Sequence, residues 1–149
     1  MKKEICSITI SRNLKELGFK DLTHCYYSNE SKKLRHMRAI KNWNSHFHGQ
    51  VLNLTSAPTV DEAIDWIRRK YNVVIYNHIP PFVDPKDKHN RIVYVYDVKF
   101  CNRRDGWNGR VTIATGWMSY NIYAAKRMAI MDAIRWIKKN KTCSKKTKK

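Results

Sequence analysis

Between residues 91 and 101 an apolar or aromatic side chain recurs at every second position, and this alternation limits the chain more than any other feature. Ile92, Tyr94, Tyr96, Val98 and Phe100 fall on one face of an extended strand, with Arg91, Val93, Val95, Asp97 and Lys99 on the other. The stretch that follows, Arg103-Arg104-Asp105-Gly106-Trp107-Asn108-Gly109-Arg110, holds an Asp-Gly and an Asn-Gly pair, which supply the positive φ that tight hairpin turns need. A second strand then runs from Arg110 to Met118, with Val111, Ile113, Thr115 and Trp117 sharing a face. Val73-Val74-Ile75-Tyr76, β-branched and aromatic, is a third and stops before Pro80-Pro81. Together they predict an antiparallel sheet with one covered face.

Helices flank this sheet in the sequence. Thr59 and Glu62 form a capping box, each side chain reaching the other's backbone N–H, and Asp61 and Glu62 place acids in the first turn. Val60, Ile64, Ile67 and Tyr71 then make one amphipathic stripe, and Arg68, Arg69 and Lys70 close the helix at its cation-favouring end. From about Asn121 to Asn140, Ile122, Tyr123, Ala125, Ala129, Ile130, Ala133, Ile134 and Ile137 fill half of a helical circumference. Its small residues allow a close approach to the sheet. The expected fold class is α+β, an α-β-β-β-α domain over residues 58–140 with two helices on one face of a three-stranded antiparallel sheet.

Residues 1–57 are expected to form a smaller α/β segment. A short helix is expected around 8–17, with Gly18 as its terminator, and Cys25-Tyr26-Tyr27 and Val51-Leu52-Asn53-Leu54-Thr55 as short strands. Ser28 to Lys33 reads as a polar turn, and residues 34–57 show no period. Residues 141–149, rich in lysine and without apolar periodicity, read as a disordered basic tail.

Charge is the strongest pointer to function. Thirty Lys and Arg against twelve Asp and Glu give a net charge of +18 over 149 residues, which points to a polyanionic partner. From Lys126 onward there are ten basic side chains and one acid, Asp132. Three clusters are candidates for phosphate contact: Lys126, Arg127, Arg135, Lys138 and Lys139 on the last helix; Arg103, Arg104 and Arg110 around Trp107; and Lys86 and Lys88 in the loop after Pro85. Cations replace condensed counterions on phosphates, while flat rings stack on unpaired bases. The expectation is that these clusters converge on one side of the molecule.

Other chemistry finds less in the sequence. The 42% hydrophobic content excludes a wholly disordered chain. No apolar run reaches the roughly 18–20 residues of a membrane-spanning helix, and the first residues have no apolar stretch of signal-peptide length, so the expectation is a soluble cytoplasmic protein with no membrane partner. Cys6, Cys25, Cys101 and Cys143 include no C-x-x-C pair and are expected as free thiols. His46 and His48 share a face if extended, and His24 adjoins Cys25, but no third ligand lies close in sequence, so no metal or cofactor is expected. None of the five glycines builds a phosphate-cradling loop, and neither G-x-S-x-G nor H-E-x-x-H occurs. Among the acids only Asp84, Asp87 and Asp97 lie near one another, so the chain is not expected to be an enzyme, although a cysteine–histidine pair can still meet in space.

Two resemblances follow. The α-β-β-β-α order, with Ala125-Lys126-Arg127-Met128-Ala129 and then Ala133-Ile134, is similar to the double-stranded-RNA-binding domain, whose second helix carries lysines and packs its alanines on the sheet. The resemblance implies RNA binding with Lys126 at a phosphate-contacting position; Ile122 and Tyr123 stand where further lysines would be, and residues 80–90 lack the family's glycine-proline-histidine signature. Separately, Leu14-Lys15-Glu16-Leu17-Gly18-Phe19 and Ser56-Ala57-Pro58-Thr59 with Glu62-Ala63-Ile64-Asp65-Trp66 resemble small uncharacterised proteins of Bacteroidetes phages and prophages. That likeness implies a mobile-element protein in a bacterial cytoplasm and carries no activity with it. The reading is therefore a non-enzymatic, phosphate-binding nucleic-acid protein of low sequence specificity; the alternative is a module that engages an acidic host protein.

Overall fold

The computed structural model describes residues 4–44, 53–79, 93–101, 110–119 and 121–146. The chain divides into two units, Met1–Ala63 and Ile64–Lys149. The division falls inside a helix, six residues beyond the boundary expected at 57/58.

In the first unit, helix α1 spans Ile8–Glu16. Ser7 caps it by accepting from the Ile10 N–H, and Gly18 at φ 86° turns the chain out of it while the Phe19 N–H bonds the Leu14 carbonyl. Ile10, Leu14, Leu17 and Phe19 are buried along its inner side. Three strands, β1 (Thr23–Ser28), β2 (Leu34–Lys41) and β3 (Leu54–Ser56), form an antiparallel sheet in the order β2-β1-β3. Two of these strands match the expected short strands approximately, β3 lying nearer the helix than the run beginning at Val51. The third, β2, lies where no period was legible. Thr23 pairs with Lys41 but Cys25 with His36, so β2 carries extra residues that bow away from its partner. Met37 and Ile40 are consequently 45% and 50% exposed, and a strand bulged and uncovered on both faces shows no alternation. Trp43 anchors the far side: its Nε1–H donates to the Thr23 carbonyl at 2.9 Å, and its ring lies 4.5 Å from that of Tyr26.

Helix α2 (Val60–Tyr71) begins with the expected box. The Thr59 N–H donates to Glu62 Oε2 at 2.8 Å and the Glu62 N–H to Thr59 Oγ1 at 3.2 Å. Its buried side chains are Val60, Ala63, Trp66 and Ile67, a stripe turned slightly from the expected one because Trp66 takes an inner position. Asn72 then adopts φ 56°, its N–H bonds the Arg68 carbonyl, and β4 starts at the next residue.

The second unit contains an antiparallel sheet of β4 (Val73–His78), β5 (Val93–Cys101) and β6 (Arg110–Ser119), in sequence order, with α3 (Ile122–Lys146) packed on all three strands. Asn121 caps α3, its side-chain oxygen accepting from the Tyr123 N–H at 2.9 Å. Ala125, Ala129, Ile130, Ala133, Ile134 and Ile137 are buried, as the helical period requires. The helix continues beyond Asn140 to Lys146, so most of the stretch expected as a disordered basic tail is helical; residues 147–149 lie outside the described residues. The face of β6 also differs from expectation. A register shift between Val98 and Lys99 leaves Ile113 unopposed, so Ala114 and Gly116, not Thr115, stand opposite Val98 and Tyr96. Thr115 turns to the other face and donates to Asp97 at 2.7 Å, and Val111 is 61% exposed. Each unit is an α+β arrangement, and the described residues form two three-stranded antiparallel sheets where the sequence predicted one.

Candidate nucleic-acid interface

The buried stripe of α3 faces the sheet, so the remaining side chains of this helix form its outer face. Arg127, Arg135, Lys138 and Lys139 lie together there, over about 18 Å of helix at 1.5 Å per residue. Arg135 and Lys139 are exposed, Arg127 and Lys138 half-buried. The acid on this helix, Asp132, is engaged on both oxygens: Arg135 donates to one at 2.9 Å and the Tyr96 hydroxyl to the other at 2.7 Å. Burial, then the Asp132 contact, pushes the Tyr96 phenol up to about 12, so Tyr96 is a neutral donor across the ordinary pH range. Tyr96 reaches Asp132 because Gly116 stands opposite it; any Cβ there would collide with the Tyr96 ring and hydroxyl. Lys126 sits apart from this group, half-buried on the inner edge with its ammonium 5.5 Å from the Tyr123 ring centre.

Arg110 occupies the opposite layer. Tyr76 pairs with Asp97, and Asp97 alternates with the helix-facing Tyr96, so Tyr76 projects away from α3. Arg110 and Lys99 lie 5.6 and 5.7 Å from the Tyr76 ring centre, with Thr112 and Thr115 exposed nearby and Asp97 3.9 Å from Lys99. The α3 cations and Arg110 therefore sit on opposite sides of a helix-on-sheet sandwich, not on one continuous side. Arg103, Arg104, Trp107, Lys86 and Lys88 lie outside the described residues, as do His46 and His48.

A further basic element lies outside the three clusters that the sequence marks. Lys32, Lys33, Arg35, Arg38 and Lys41, all exposed, run through the turn into β2 and along it, and no acid interrupts residues 31–41. That local density of cations was visible in the sequence, but without a strand to carry it nothing marked it as a surface. β2 is an edge strand among the described residues, which leaves one side of its backbone unpaired within the sheet.

The cysteine–histidine pairing left open by the sequence does occur. Cys25 and His36 are cross-strand partners, with Cys25 Sγ 3.0 Å from His36 Nδ1, beside a cavity of about 260 Å³ that Glu62 and His24 also line. Burial, and secondarily the Glu62 charge, pushes the Cys25 thiol up, which holds it protonated where a nucleophile needs a thiolate. Cys6, Cys25 and Cys101 are free thiols. Among the described residues no three His, Cys, Asp or Glu side chains are grouped to hold a metal ion, and no helix is long and apolar enough to cross a membrane. No family model, curated protein or solved structure matches this chain.

Proposed function

We propose that this chain is a non-enzymatic nucleic-acid-binding protein that grips the phosphate backbone, acting in the cytoplasm of a bacterial host as the product of a phage or other mobile element. The observation that carries the reading is the outer face of α3, where four cations share about 18 Å and the neighbouring acid is already engaged by Tyr96 and Arg135. Arg135 and Lys139 are exposed on this face, with Lys138 half-buried between them, and contacts of this kind hold a protein on the phosphate backbone without reading base edges. The excess charge of the second unit, twenty basic against six acidic side chains, adds a long-range attraction to any polyanion. The phage setting is supported by the sequence likeness alone.

The test is a titration of the full chain with labelled DNA and RNA oligonucleotides over a range of NaCl. If about five phosphates are neutralised on a duplex, log affinity falls against log salt with a slope near −4.5. Lys138→Glu with Lys139→Glu should weaken binding and flatten the slope by about two. Affinity independent of salt would sink the proposal.

A second reading, an acidic protein partner, is favoured by one observation: among the described residues β2 is an edge strand, with exposed Arg35, Arg38 and Lys41 along it. An extended acidic segment could add to that edge as a fourth strand. Partners that stay bound after exhaustive nuclease digestion, and are lost on Arg35→Glu with Arg38→Glu, would support it.

A further inference from the structure

We infer that the recess between the end of α2, the end of β5 and the later turns of α3 is a seat for one unpaired nucleobase. The inference rests on the proposed nucleic-acid reading and narrows its ligand to single-stranded segments.

Three rings meet there. Tyr71 ends α2, Phe100 lies near the end of β5 and Trp136 projects from α3; all three are half-buried where comparable side chains in the core are sealed. Phe100 and Trp136 lie 5.0 Å apart at 35°, a tilted pair forming one wall, and Trp66 braces Tyr71 edge-on at 5.6 Å and 74°. The cavity is about 230 Å³, below the roughly 300–1,000 Å³ of sites for drug-sized ligands and suited to a single flat ring system. Its lining of Tyr71, Phe100, Trp136, Ile137, Asn140 and Lys141 is mostly apolar and contains no carboxylate.

Charge selects the occupant. Lys141 Nζ stands 5.0 Å from the Tyr71 ring centre and Lys70 Nζ 5.7 Å from it, so cations flank an aromatic recess. Lys138 and Lys139 belong to the adjoining turn of the same helix. A ligand that satisfies this arrangement is flat and apolar at its centre and anionic at its ends, which describes a nucleotide within a strand. A base stacked inside a duplex cannot enter, whereas an unpaired one can leave its neighbours and stack on protein rings.

Three fluorescent oligonucleotides of equal length test this with the full chain: a single strand, the same strand with abasic sites at its centre, and a duplex. The intact single strand should bind roughly tenfold or more tightly than its abasic counterpart, since base–aromatic stacking has about that worth per base. A photoreactive halogenated uracil at the centre should crosslink to Trp136 or Tyr71. Trp136→Leu should abolish the difference between intact and abasic strands; because that change also removes packing against Phe100, the abasic comparison on the unaltered protein is the deciding measurement. Equal, salt-dependent affinity for intact and abasic strands would overturn the recess while leaving phosphate binding standing, as would crosslinks that map elsewhere. Failure of all three oligonucleotides to bind at low salt would overturn the proposed function itself.

Discussion

Tyr96 and Gly116 show how two residues fix the relation of helix to sheet. A tyrosine at a covered position must find a partner for its hydroxyl, and Asp132 on α3 supplies it. The ring crosses β6 at the one residue without a side chain, so Gly116→Ala should destabilise the protein by about 1–3 kcal/mol, as overpacking does, measured by urea unfolding. Tyr96→Phe in the same background should give little relief, because ring carbons as well as the hydroxyl occupy the space of the new methyl. The Tyr96 phenol, ordinarily near 10.0, stands at about 12 when folded, so the native state holds its proton more tightly than the unfolded chain. Its contribution is complete below pH 10.0 and is lost as pH rises through about 12. Stability of the native protein should fall over that window, and the fall should be shallower in Tyr96→Phe.

At the scale of elements, local chemistry sets the boundaries and tertiary contacts set the faces. The Thr59–Glu62 box satisfies two N–H groups that a helix start would otherwise leave open. Thr59→Ala should therefore cost about 1 kcal/mol by thermal or chemical unfolding. With Glu62→Ala, which removes the acceptor of the Thr59 N–H, the double variant should lose less than the sum of the singles, since the two side chains serve one motif. This box, the alternation in β5 and the periodic apolar face of α3 were all legible because each depends on residues close in sequence. The register shift in β6 was not, because it belongs to the pairing of β6 with β5 and not to the alternation within either strand. For β2 the reason is different: a strand buried on neither face leaves no pattern to read.

For the whole molecule, the layer in which a cation sits decides what it can do. The α3 cations and Arg110 lie on opposite faces of the second unit, so one rigid duplex cannot touch both at once. Charge reversal at Lys138 and Lys139 and charge reversal at Arg110 should therefore differ in effect, the first lowering affinity for nucleic acid well beyond the second. Equal losses in a salt-matched binding assay would show that α3 is not the principal contact. The first unit adds a third basic surface along β2, and Arg35→Glu with Arg38→Glu measures its share in the same assay.

The amino-acid sequence determined the positive charge, the capped α2, the alternating strand β5 and the two-sided α3, because each follows from residue type and a period of two or 3.6 within a short stretch. Tertiary structure alone decided that Cys25 meets His36, that Gly116 makes room for Tyr96, and that Arg110 and the α3 cations, 17 to 29 residues further along the chain, are divided between the far side of a sheet and a helix face. Those outcomes depend on strand register and on which face each element buries, and both are set by packing between segments distant in the chain.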